Sequence, residues 1–144
     1  MLHQYSDGGR ADAGYRGVAG DCVTRAIAIV TGLPYKQVYD AINRGANTEL
    51  KRSDYGIKSS ARHGVYTQRA WFKRYMRRLG FTWTACKKEA RLSAGTIPSG
   101  RHVVSIHKHY TAVVDDVIYD TYNCSKTKNG RSRIYGYWTL VSKP

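Results

Sequence analysis

No Cys-x-x-Cys pair occurs in this 144-residue chain, whose three cysteines (Cys22, Cys86 and Cys124) lie far apart and are odd in number. That excludes a zinc ribbon and a thioredoxin-type motif, and it fits reduced thiols in a cytosol better than a disulfide scaffold. The opening residues MLHQYSDGGR lack the apolar run of a signal peptide. No stretch approaches the roughly 20 apolar residues that span a bilayer. The glycine-rich DGGR (7–10) is not followed by the GxxxxGK pattern of a phosphate-cradling loop. Internal repeats, low-complexity linkers and recognisable nucleic-acid-binding motifs are also missing. The reading is a soluble, cytoplasmic chain with no membrane contact and no cofactor.

Acidic residues are scarce as well. Ten Asp and Glu face 24 Lys and Arg, a formal charge of +14. The excess favours a polyanionic partner, either nucleic acid or an acidic protein. Aromatic residues, mostly tyrosine, make up 12% of the chain and argue against disorder. The length suits one domain, residues 1–144, with an ordinary core.

The pattern along the chain puts helices before strands. After a non-periodic, glycine-rich lead-in (7–22), Val23, Ala26, Ile27 and Val30 form the apolar stripe of a helix over 22–31. Asp21 suits its N-cap and Gly32 its stop. A second helix begins at Pro34 and buries Tyr35, Val38, Tyr39 and Ile42. Residues 45–66 read as a loop or surface insertion. A third helix, capped by Thr67 and stopped by Gly80, turns Trp71, Phe72, Tyr75, Met76 and Leu79 inward. Its other surface is basic through Arg69, Lys73, Arg74, Arg77 and Arg78, and Lys87 and Lys88 follow. Then FTWTAC, one long strand over 101–114, VIYDTYN and RIYGYWTLV predict strands. The order implies an α+β domain, with N-terminal helices packed on a C-terminal antiparallel sheet.

The stretch HVVSIHKHYTAVVDDVIYDTYN (102–123) carries awkward polar groups for a plain sheet. With Asp115-Asp116 as a two-residue turn, Val114 faces Val117, Thr111 faces Asp120 and His109 faces Tyr122. His109 and Asp120 then share one face as diagonal neighbours, near enough for the carboxylate to orient the imidazole. His107 falls on that face too, opposite Cys124. Such a pair needs a nucleophile, and Cys22 is the best candidate. A thiol in the first turn of a helix feels partial positive charge that lowers its pKa. Thiol, base and orienting acid make the arrangement of nucleophilic thiol chemistry.

GDCVTRAIAIVTGLPYKQVYDAI, followed by HYTAVVDDVIYD, resembles the Cys–His–Asp framework of papain-like cysteine hydrolases. With the DGGR segment and the later YGYW, it also resembles small phage and prophage proteins. The resemblance implies a papain-like fold, Cys22 as nucleophile, His109 as base and acid, and Asp120 as orienting group. It also implies an oxyanion hole from the Cys22 backbone N–H and an upstream donor, usually Gln. Position 16 is Arg here, and the one upstream glutamine is Gln4. Gln4, Tyr15 and Arg16 are therefore the candidates, with Arg10 placed in the cleft as a carboxylate binder.

The expectation is a phage-type thiol hydrolase acting on an amide, isopeptide or thioester bond of a protein or peptide-like substrate, in the host cytoplasm if phage-encoded. The alternative is a non-catalytic basic phage effector that binds nucleic acid or an acidic host protein. A zinc site from Cys22, His107 and His109 lacks a fourth ligand of obvious spacing, so no metal is expected.

Overall fold

The computed structural model describes residues 1–17, 19–49, 59–126 and 132–141. Among them are strands β1 (Leu2–Tyr5), β2 (Phe81–Ala85), β3 (Arg101–Ile106), β4 (His109–Val114), β5 (Val117–Asp120) and β6 (Ile134–Leu140). The helices are α1 (Cys22–Thr31), α2 (Tyr35–Asn47) and α3 (Ala70–Arg78). The strands form one six-stranded sheet in the order β1-β5-β4-β3-β6-β2. The architecture is α+β, as the order of patterns predicts, but the sheet is mixed. β1, which precedes the lead-in and to which the sequence reading gave no element, pairs in parallel with β5. Its four residues are largely exposed and carry no apolar alternation, so no periodicity marked it.

The helices cover one face of the sheet. Val23, Ala26, Ile27 and Val30 of α1 are all buried, joined by Val38 and Ile42 of α2 and by Trp71, Phe72 and Met76 of α3. They pack on Phe81, Val103, Tyr110, Ala112 and Trp138 of the sheet. Burying each such aliphatic or aromatic side chain contributes about 1.5–3 kcal/mol, which fixes α1 against the sheet. Gly32, at φ 74°, ends α1 and returns its N–H to the Ala28 carbonyl at 2.9 Å. The opposite face is covered by chain without regular structure, with Leu92 and Ile97 packing on Val104, Val113, Ile118 and Ile134.

Several boundaries depart from the sequence reading. The helix α2 runs to Asn47, into the stretch read as loop, because Ala46 is a fourth buried position on its inner face. Pro34 precedes the helix rather than opening it, and Tyr39 is only partly buried. Of the remaining stretch, 50–58 lies outside the described residues. Residues 59–66 are loop, closed by a Ser60–Gly64 bridge and anchored to the core by one residue. Ala61 is fully buried, its N–H donates to Asn43 Oδ1 and its carbonyl accepts from the Thr24 hydroxyl. Thr67 is not the cap of α3; that position belongs to Arg69.

Residues 101–114 form two strands, not one. The chain reverses at His107-Lys108, with Ile106 opposite His109 and Lys108 at φ 56°. The second reversal falls where the sequence places it. Asp115 and Asp116 both have positive φ, 47° and 64°, and Val114 pairs with Val117. Two central residues in the left-handed region match the right-handed twist of a hairpin.

Candidate active site

Cys22 is the first residue of α1, where the backbone N–H groups have no partner within the helix. The helix is held against β4, whose first residue is His109. His109 and Cys22 line one cavity and each shifts the other's pKa, and the His109 Nε2–H donates to Asp120 Oδ2 at 2.7 Å. The second ring nitrogen, Nδ1, is thus the one left for the sulfur. Asp120 ends β5 and is almost fully buried. The structure brings together the three residues that the hairpin register and the helix start single out.

The electrostatics follow from that geometry. Burial pushes the Cys22 thiol up, but the His109 hydrogen bond and charge, the Tyr110 backbone N–H and Arg25 outweigh it. Its pKa lies below the ordinary value. Burial disfavours the His109 imidazolium, yet bonds to Asp120 and Cys22 raise its pKa to about 9. Asp120 is also opposed by burial, and is held below the usual carboxylate range by His109, Thr111 and the Thr121 backbone N–H. The shifts run toward the charged forms, a thiolate at Cys22 and an imidazolium at His109, with Asp120 favoured as carboxylate behind them. Cys86 and Cys124 are the reverse case. Burial raises both, Cys124 to about 11.

Asp120 is fixed from several sides. The Thr111 hydroxyl donates to its Oδ2 at 2.7 Å and the Thr121 N–H to its Oδ1 at 2.7 Å. His3 of β1 donates to its backbone carbonyl at 2.9 Å. Arg25 of α1 reaches its Oδ1 at 3.6 Å. The same guanidinium bonds Asp21, which the sequence assigns to a helix cap. The Asp21 side chain makes no capping bond. It is buried and instead takes Arg25, the Tyr35 hydroxyl at 2.6 Å and Arg10 Nε at 3.3 Å. Buried carboxylates persist when paired in this way.

The thiol and the imidazole open on a cavity of about 600 Å³. None of the four predicted oxyanion or cleft residues lines it. Gln4 lies on β1 with its amide on the Tyr5 carbonyl. Arg10 is engaged by Asp21 and the Gly17 carbonyl. Tyr15 packs on the rings of Tyr35 and Tyr39, and the Arg16 carbonyl accepts from Arg62. The cavity is walled instead by Gln68, Thr67, Trp83, Ser105, Lys108 and Tyr135, among others. Gln68 supplies a side-chain amide of the type the oxyanion role requires. Its place before α3, more than 40 residues downstream of Cys22, hides it from a search of the upstream segment. His107 does not share the His109 face. It sits in the turn and bonds the Tyr135 hydroxyl at 3.1 Å.

Cys22, His107 and His109 thus do not converge as a metal set. His109, Asp120 and Cys124 do, with ligand atoms within 4.8 Å of one another. An ion there would draw on the His109 and Asp120 side chains that bond each other. The described residues contain no helix long and apolar enough to cross a membrane. No family model, curated protein or solved structure matches this chain.

Proposed function

We propose that the protein is a papain-like thiol hydrolase that cleaves an amide, isopeptide or thioester bond through an acyl-enzyme on Cys22. One observation carries the reading. His109 stands between a thiol of lowered pKa and a buried carboxylate, with its own pKa raised to about 9. Cys124, buried and near the Asp120 charge, moves the other way.

In this reading the Cys22 thiolate attacks the carbonyl carbon, and a C–S bond forms as the carbonyl oxygen takes the negative charge. The Cys22 backbone N–H and the Gln68 amide hold that oxygen. His109 Nδ1–H protonates the leaving group, and the bond to it breaks. Water then attacks the thioester, His109 takes its proton, and Cys22 leaves as thiolate. Asp120 keeps Nε2 protonated and the ring aimed throughout.

The pH dependence of Cys22 alkylation by iodoacetamide, in the wild-type protein and in His109→Ala, tests the reading. A thiolate titrating well below the free value of about 8.5, and rising when His109 is removed, is the expected result. Slow, unactivated alkylation in both proteins rejects it. A second reading, a non-catalytic basic binding protein, draws on the net charge of +14. Salt-steep affinity for a polyanion, indifferent to Cys22→Ala, would select it.

A further inference from the structure

The cavity at Cys22 does not end at the thiol. A second depression of about 160 Å³ lies against it, and Thr67, Gln68, Trp83 and Tyr110 line both. The far wall of the second depression is Trp138 with Lys73 and Arg77 of α3. The two make one trough that runs from Cys22 to the basic helix, with Lys108 also in its lining. Trp83 is 42% exposed and Tyr135 40%. Apolar surface left open along a groove marks a ligand or partner site when it is contiguous.

The charge in this trough has one sign. Its lining includes no Asp or Glu. Lys73, Arg77 and Lys108 form no ion pair with any described residue. Five of the acidic side chains are committed elsewhere. Asp21 and Asp120 serve the thiol network, Asp40 pairs with Lys36, and Asp115 and Asp116 accept from loop N–H groups. The other cations of the third helical segment are placed differently. Arg78 lines a separate depression with Arg44, and Arg69 lies over the Tyr66 ring. The basic face predicted as one surface is therefore divided, and two of its residues belong to the trough.

We propose, building on the thiol-hydrolase reading, that the substrate is an acidic peptide. Its reactive carbonyl lies at Cys22, an apolar side chain rests on Trp83 and Tyr110, and carboxylates on either side meet Lys108 and the Lys73–Arg77 pair. Uncompensated cations in a concave, apolar-walled site focus their field on an incoming anion. A nucleic acid would satisfy the charge but offers the thiolate no acyl carbon.

The test uses two peptidyl vinyl sulfones that differ only in Asp and Glu against Asn and Gln beside the reactive group. Labelling of Cys22 is followed by mass, with iodoacetamide alkylation run in parallel. The acidic probe labels about tenfold faster at low salt, as a few partly exposed ion pairs allow. The preference shrinks as salt rises. Lys73→Glu with Arg77→Glu abolishes or reverses it. Arg74→Glu with Arg78→Glu, the same charge change on the same helix outside the trough, leaves the ratio intact.

Equal rates for the two probes, with Cys22 still rapidly alkylated, overturn the acidic preference alone. Slow alkylation with no labelling by either probe overturns the thiol chemistry and the preference with it. If a single-stranded oligonucleotide blocks labelling better than an unreactive acidic peptide does, and Lys73→Glu with Arg77→Glu relieves that block, the trough belongs to nucleic acid and the proposal falls.

Discussion

The strand β4 is bounded by two turns of equal length and opposite character. At one end Asp115-Asp116 is pinned to the loop that precedes β3. The Asp115 carboxylate accepts the Gly100 N–H at 2.9 Å, its own N–H returns to the Gly100 carbonyl, and Asp116 accepts the Gly95 N–H. At the other end His107-Lys108 meets the rest of the chain through little besides Arg133 and Tyr135, and Lys108 is spent on the cavity. The anchored turn sets the register, and a one-residue slip would send every side chain of β4 to the other face. The open turn uses that register, because His109 is the first residue after it. One end of β4 is anchored, and the candidate site lies at the other.

The sharpest way to break this contrast is at the open end. His109→Ala should lower turnover by about 10²–10⁴, measured on whichever probe labels Cys22. In the intact protein the pH–rate profile should fall on the alkaline side near pH 9, where the imidazolium is lost. On the acid side it should fall as the depressed Cys22 pKa is crossed.

Asp120→Ala comes next, since it strips a buried pair of one partner and should cost about 3 kcal/mol of stability by denaturant titration. The sign of its pH dependence follows from its lowered pKa. The stabilisation is complete above the ordinary carboxylate value and is lost as pH falls through the folded one. The gap between wild type and Asp120→Ala should therefore close on acidification.

Gln68→Ala should cost about 10²–10³ in turnover if its amide holds the oxyanion, with the Cys22 titration unmoved. At the anchored end the expected effects are smaller and of another kind. Asp116→Ala removes a side-chain acceptor from the Gly95 N–H and should cost about 1 kcal/mol, without changing Cys22 alkylation. Asp116→Gly sharpens the comparison furthest. It loses the same bond but relieves a left-handed backbone at φ 64°, so the net change should stay within about 0.5 kcal/mol of zero.

The legibility of these features tracks how local their physics is. The stripe Val23-Ala26-Ile27-Val30 announces α1 because burial on one face imposes a 3.6-residue period. Asp115-Asp116 is visible because few residues tolerate two successive positive φ angles, and the His109–Asp120 pairing follows from that turn by counting. His107-Lys108 is not visible. Neither residue is a turn former, and the apolar residues run on almost unbroken to either side. Asp21 could be read as a cap, but its bonds to Arg10 and Tyr35 join residues from separate loops and helices and leave no local trace. Gln68 and the trough are the extreme case. They exist only where a loop, the edge strand β2 and the open turn converge.

Arg25 lies three residues after Cys22 and four after Asp21, on the same side of α1. Its guanidinium spans from the Asp21 carboxylate to that of Asp120. The helix that carries Cys22 is therefore moored to the strand that carries Asp120 by a cation one turn further along that helix. Any rotation of α1 that carried the sulfur away from His109 would also drag on Asp120, so the alignment of the three groups is carried as a single rigid setting rather than three independent ones.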